Sequence, residues 1–256
     1  MSTTKKFKFL TNGNFILPDT IINKNELSGA TEKLIFEEYD IAGNLNKFYK
    51  ESDMVTQVIW DYNLSLPIAK VLSGKGGVIA YSSFEADGTG NWYLDQPGMI
   101  TSSDGLTGTR SYAINGALAR YGLDPAQTYT VSIWTKNGIP NYNGFNGTTQ
   151  VIADNNAWTA GPTINGWTYR EKKFTGVTTI NIFGGGLVDE ARLYPSNAQM
   201  ATYTYEPLVG MTSQCDVNNR ITYYEYDAFG RLKTIRDENK NVLKTIDYQY
   251  QKNQNQ

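Results

Sequence analysis

One short pattern occurs near both ends of the chain and constrains the fold more than any other feature. Glu225-Tyr-Asp-Ala-Phe-Gly-Arg-Leu232 has a looser counterpart in Glu38-Tyr-Asp-Ile-Ala-Gly-Asn-Leu45. The two align without a gap over 18 positions, Glu38–Val55 onto Glu225–Val242, and each unit closes on Asp-Tyr, at Asp61-Tyr62 and Asp247-Tyr248. Internal repetition of this kind marks a repeated supersecondary unit. Tyr-x-Tyr sets two rings on one face of a strand, because strand side chains alternate. Asp227 starts a turn, since its carboxylate can accept hydrogen bonds from backbone amides two residues on. Gly230 supplies the positive φ that a four-residue hairpin turn needs. A second strand follows through Leu232 and Ile235. Asp237–Asn241 is the next turn, with Lys240 standing where a glycine is expected, and Val242–Tyr250 is a third strand.

The residues Tyr226-Asp-Ala-Phe-Gly-Arg-Leu232 and Tyr39-Asp-Ile-Ala-Gly-Asn-Leu45 resemble the YD repeat of the RHS (rearrangement hot spot) family. The resemblance implies hairpins that coil, in longer members, into a large β-shell that often encloses a toxin. It implies an exported or cell-surface polypeptide, of which this chain is a piece.

Between the repeats the pattern changes. Ser73-Gly-Lys-Gly-Gly77 is a flexible joint without the spacing of a phosphate-binding loop. After it come short strand patterns separated by Gly- and Asn-rich stretches: Ala80–Glu85, Thr109–Ile114, Gln127–Lys136, Trp167–Phe174, Thr178–Phe183 and Leu187–Tyr194. Asn137–Thr149 reads as a long loop. Such spacing predicts a β-sandwich over residues 76–195, flanked by hairpins over 1–75 and 196–256. With 18 Tyr, 10 Phe, 5 Trp and 24 Gly in 256 residues, the whole chain reads as all-β. Tyr203-Thr-Tyr205 resumes the Tyr-x-Tyr spacing, so the two flanks are expected to form one β-surface with the sandwich inserted between them. The order Phe84-Glu85, Trp92, Gly108-Thr-Arg-Ser-Tyr112, Tyr129-Thr-Val-Ser-Ile-Trp134 and Val188–Leu193 resembles the jelly-roll carbohydrate-binding modules of galactose-binding-like fold. A concanavalin-like sandwich is the nearest rival.

Function follows from what is present and absent. The chain has no histidine, which removes Ser-His-Asp and Cys-His catalysis and His-based zinc sites. Cys215 has no partner for an internal disulfide and no histidine to activate it. A net charge of -2 offers no basic surface for nucleic acid. No run approaches the roughly 18 apolar residues of a membrane helix. Glu85, Asp87, Asp95, Asp104, Asp189 and Glu190 could in principle supply a glycosidase pair, but no motif fixes two of them together, so a non-enzymatic role is expected.

Strict alternation along Leu187–Tyr194 puts Asp189 on the core face with Ala191 and Leu193. A buried carboxylate needs compensation, and calcium prefers oxygen ligands. The carbohydrate-module resemblance implies a structural calcium at Glu85 and Asp189. In Gln127–Lys136, Trp134 lies opposite the apolar face of Tyr129, Val131 and Ile133, where an indole can carry a sugar ring. Trp92, Trp158 and Tyr142 lie in or beside Gly/Asn-rich segments and join it as candidate glycan contacts. The leading expectation is a glycan-recognition module, and the alternative is a structural piece of a shell. A glycan binder exposes at least two of Trp92, Trp134 and Trp158 on one surface, whereas a structural module buries them.

Overall fold

The repeated turn is the unit from which the largest sheet is built. A computed structural model describes residues 2–10, 15–101 and 104–249. In it the same hairpin turn occurs at Asp40, Asp216, Asp227 and Asp237. In each, the aspartate N–H bonds the carbonyl four residues on, and its own carbonyl accepts the N–H three residues on. The Oδ1 atom accepts amides two and four residues on, such as Phe229 and Arg231 for Asp227 or Ala42 and Asn44 for Asp40. The fourth position takes positive φ: Gly43, Asn219, Gly230 and, where a glycine was expected, Lys240 at φ 66. The tyrosines act as straps. Tyr39, Tyr205 and Tyr226 donate their hydroxyls to the carbonyls of Pro18, Pro67 and Met211 on the neighbouring strand. A register slip lies just before each of these tyrosines, in the pairing with the strand on its other side.

The strands run β1 (Ser2–Leu10), β2 (Phe15–Lys24), β3 (Thr31–Tyr39), β4 (Leu45–Lys50), β5 (Val55–Asp61), β6 (Leu66–Ser73), β7 (Ala80–Ser82), β8 (Tyr93–Leu94), β9 (Ile100–Thr101), β10 (Ser111–Ala113), β11 (Ala117–Tyr121) and β12 (Thr128–Lys136). They continue as β13 (Asn141–Asn146), β14 (Thr149–Asn155), β15 (Thr159–Ile164), β16 (Trp167–Thr175), β17 (Thr179–Phe183), β18 (Leu187–Pro195), β19 (Gln199–Glu206), β20 (Gly210–Cys215), β21 (Ile221–Tyr226), β22 (Leu232–Arg236) and β23 (Val242–Thr245). Among the described residues the only helical turn is the short 3-10 segment Pro97–Met99, so the protein is all-β. The third strand of the second repeat ends earlier than the pattern predicts, and Tyr250 lies outside the described residues.

Three antiparallel sheets result. An 11-stranded sheet runs β1 to β6 and then directly β19 to β23. The two flanks meet where Ala69–Leu72 of β6 pairs Gln199–Thr202 of β19. The sandwich has one sheet ordered β15-β16-β12-β18-β10-β9, with β7 also on β18, and a second ordered β14-β13-β17-β11-β8. Its entry and exit touch: a Cβ on Gly77 would lie 2.6 Å from the Pro195 ring. An insert whose ends meet can sit between two neighbouring strands without spreading them. The Gln57 side chain clasps the joint, accepting the Gly77 N–H and donating to its carbonyl.

The stretch read as a loop at 137–149 contains β13. Gly and Asn conceal the strand, but Gly144 is required there, because a Cβ would approach Val177 to 2.8 Å. The sandwich core lies between its own two sheets, around Tyr129, Val131, Ile133, Phe174, Ile180 and Leu193. A second buried layer lies between the sandwich and the 11-stranded sheet. At one end it gathers Ile59, Ile68, Val71, Ile79, Tyr81 and Met200, and at the other Trp134, Trp167, Tyr169, Cys215, Ile221 and Tyr223.

The seam between β6 and β19 gives a direct expectation. A protease site engineered at Gly74-Lys75 and then cut should leave the two fragments co-eluting on native gel filtration. Free release of the N-terminal fragment would contradict the pairing.

Candidate functional site

The sites named from sequence lie within this layering. Trp134 is 1% exposed, Tyr142 1%, Trp92 3% and Trp158 8%. Trp92 donates Nε1–H to the Ala191 carbonyl at 3.0 Å, and Trp158 donates to that of Pro140 at 2.7 Å. The Tyr142 ring meets Trp158 and Phe174 edge to face and its hydroxyl bonds the Ala157 carbonyl. These three belong to the sandwich core. Trp134 does face away from that core, as alternation requires, but the 11-stranded sheet covers it, and it packs edge to face on Tyr169. The expectation that these four carry a sugar is corrected by their burial. A platform needs an open ring face, and each ring here is enclosed by protein.

The two candidate metal ligands are also committed elsewhere. Asp189 accepts the Leu106, Thr107 and Glu190 amides at 2.7, 3.0 and 2.6 Å. Glu85 accepts the Thr109 and Arg110 amides. Both carboxylates therefore hold the segment 106–110 by its N–H groups. A cation needs lone pairs converging on one point, and here they are aimed at donors. No group of three or more His, Cys, Asp or Glu among the described residues is placed to hold a metal. The arrangement does not fit a calcium site.

Asp189 is also on the face opposite to the one expected. Between Ser132↔Arg192 and Trp134↔Asp189 the ladder gains one residue on β18. Glu190, at φ 50, forms this bulge, in a backbone region costing about 1–3 kcal/mol for a residue with a side chain. The slip keeps Val188, Ala191 and Leu193 in the core and sends Asp189 and Arg192 outward.

The outward residues meet the 11-stranded sheet in a buried polar cluster. Arg192 Nη2 bonds Glu190 Oε2 and Thr202 Oγ1, both at 2.8 Å. Thr202 donates to Glu190 Oε2 at 2.9 Å, and Tyr81 and Thr107 donate to Oε1 at 2.5 and 2.8 Å. Arg192 Nη1 reaches Asn219 Oδ1 at 2.8 Å, and Asn219 Nδ2 donates to the Tyr169 hydroxyl at 3.0 Å. Asn219 is the positive-φ residue of the turn at Asp216. The turn whose fourth position is asparagine is thus the one that docks on the sandwich. Burial pushes the neighbouring Cys215 thiol up to about 12, so it stays protonated and is no nucleophile. Burial, and then the charge of Glu190, push the Asp189 carboxyl well above the usual carboxylate range, against the pull of its three amides.

Sequence reasoning missed this cluster. Its one visible signal is Asp189-Glu-Ala-Arg192, three charges in an otherwise apolar strand. The remaining acids do not converge with these two. Asp104 pairs with Lys136 at 2.9 Å, Asp95 is exposed, and Asp87 lines an open cleft beside Glu85. That cleft, about 750 Å3, lies where the sandwich meets the Tyr62–Tyr205 ring pair. A second, about 470 Å3, lies between β4–β5 and the segment 122–127.

No protein-family model matches the chain, and no curated protein matches it.

Two outcomes test the cluster. Arg192→Met should cost about 3–5 kcal/mol in urea unfolding, because it strands Glu190. Asn219→Gly should cost about 1–3 kcal/mol despite suiting the turn, because Arg192 loses an acceptor. If either changes stability by less than a few tenths, the cluster does not hold the layers together. The second outcome concerns pH. A carboxyl with a raised folded pKa binds more protons folded than unfolded, so its contribution falls as pH rises from about 4, the unfolded value. Wild type should lose stability relative to Asp189→Asn as pH rises above that point. A relative gain would show that the amides dominate.

Proposed function

We propose that this chain is a structural segment of a longer, exported or cell-surface YD-repeat polypeptide of the RHS type. Its 11-stranded sheet forms part of a β-wall, and the sandwich is built onto that wall. The observation that carries this reading is the covered outer face of the sandwich. Trp134, Trp167 and the Glu190–Arg192 pair lie beneath the sheet, where a recognition module would keep its aromatic face open. The ends of the sheet add support. Among the described residues β1 and β23 each have one hydrogen-bonded neighbour, and Phe7 and Phe9 of β1 are 57% and 59% exposed. An open edge that exposes aromatic rings is a liability in an isolated sheet and suits pairing with further strands. A glycan-recognition role for Trp92, Trp134, Tyr142 and Trp158 finds no support in their packing.

Differential scanning calorimetry tests the reading. A sandwich built into the wall should melt together with the sheet, in one transition whose calorimetric and van't Hoff enthalpies agree. Trp134→Ala should lower that single transition, at a cost of about 3–5 kcal/mol. Two separable transitions, with Trp134→Ala affecting only one, would mark the sandwich as an independent module.

A further inference from the structure

The 11-stranded sheet covers one outer face of the sandwich. The other outer face, on the sheet β14-β13-β17-β11-β8, is turned away from it. The core residues fix which side chains line that second face. Leu94, Leu118, Ile180, Ile182 and Tyr142 point inward, so by alternation Tyr93, Ala119, Tyr121, Asn181 and Asn143 point outward. The register then sets Tyr93, Ala119, Asn181 and Asn143 side by side in one row across four strands. With neighbouring strands ~4.8 Å apart, that row spans about 14 Å. One end of it is aromatic. Tyr93 is 52% and Tyr121 50% exposed, and their rings meet edge to face at 5.9 Å beside the fully covered Ala119. The other end is polar. Asn181 Nδ2 donates to Asn143 Oδ1 at 3.0 Å, and Asn143 Nδ2 and Gln150 Nε2 both donate to Asp154 Oδ1 at 2.9 Å. Asn181 is half-buried and Asp154 exposed. Among the described residues no hydrogen bond reaches the two tyrosine hydroxyls, Asn181 Oδ1 or Asp154 Oδ2.

Single exposed aromatics are ordinary, but rings held together on an open face mark an interaction site. The outward positions of β8, β11, β17 and β13 carry no charged side chain, and the charge that borders the row is the Asp154 carboxylate. An anionic ligand is therefore disfavoured and a neutral one is not. A tyrosine face takes the C–H face of a sugar, while amides and a carboxylate take its hydroxyls. We propose that this face binds a neutral oligosaccharide, with one sugar ring on Tyr121 and Tyr93 and the next hydrogen-bonded by Asn181, Asn143 and Asp154. The Asn181–Asn143–Asp154 chain already fixes these side chains, so little of their freedom remains to be lost on binding. A proline-rich peptide also docks on aromatic side chains, but in grooves between them, and an edge-to-face pair at 67° leaves no groove. The face is separate from the buried Trp92, Trp134, Tyr142 and Trp158, and it stays open whether or not the chain is part of a wall.

The test is a titration of the whole chain, followed by amide NMR shifts, with cellohexaose, laminarihexaose, mannohexaose and xylohexaose. Hexagalacturonate is the acidic control and decaproline the peptide control. At least one of the neutral four should bind with a dissociation constant below about 1 mM and shift amides of β8, β11, β13 and β17. Tyr121→Ala and Asn181→Ala should each weaken it at least about tenfold. Phe229→Ala removes a ring that is 80% exposed on the 11-stranded sheet and should leave the affinity unchanged. Should Asn181→Ala lower the melting temperature, Tyr93→Ala, at a half-exposed position, takes its place. No binding by any of the four, equal or tighter binding of hexagalacturonate or decaproline, unchanged affinity in Tyr121→Ala, or shifts confined to other strands would each overturn the proposal.

Discussion

The pairing of β6 with β19 is the contact on which the rest of the structure depends. Four residue pairs, Ala69–Leu72 with Gln199–Thr202, turn two half-sheets into one. Closing so long an excursion as a flexible loop would be entropically unfavourable, although the penalty grows slowly with length. The chain lowers it by folding the excursion into a sandwich whose two ends touch at Gly77 and Pro195. The seam then asks for little beyond what the sandwich already fixes. Gly77 has to be glycine, because the approach leaves no space for a side chain.

The second constraint is how the sandwich lies on the sheet. Apolar packing at both ends of the interface supplies area but little direction. The polar strip between them supplies direction. Glu190 and Arg192 find all their strong partners only when Tyr81, Thr107, Thr202 and Asn219 are in place. Buried ion pairs add little net stability over apolar packing. A pair that takes partners from both layers, Tyr81 and Thr107 on one side and Thr202 and Asn219 on the other, ties the layers in one relative placement, and the positive-φ bulge at Glu190 is tolerated on that account.

The repeat was legible because its physics is local. Asp40, Asp227 and Asp237 announce their turns by the residues that follow. The turn at Asp216 was not read, since Val217-Asn218-Asn219 contains no glycine, yet its asparagine takes the same conformation and also docks the turn. Tyr203-x-Tyr205 was enough to anticipate that the flanks share a sheet. Side-chain alternation placed Trp134 correctly away from the sandwich core, but alternation says which face a residue is on and not what covers that face. The same rule misplaced Asp189, because a one-residue bulge reverses every position beyond it.

Native-state hydrogen exchange across the seam tests the central claim most directly. If β6 and β19 bind the flanks and sandwich into one unit, the amides linking Ala69–Leu72 to Gln199–Thr202 should open only by global unfolding. Their protection should equal that of β12 and β18 at the centre of the sandwich. Seam amides that exchange by a lower-energy opening, while β12 and β18 stay protected, would mean that the flanks are separate hairpins resting against an independent domain.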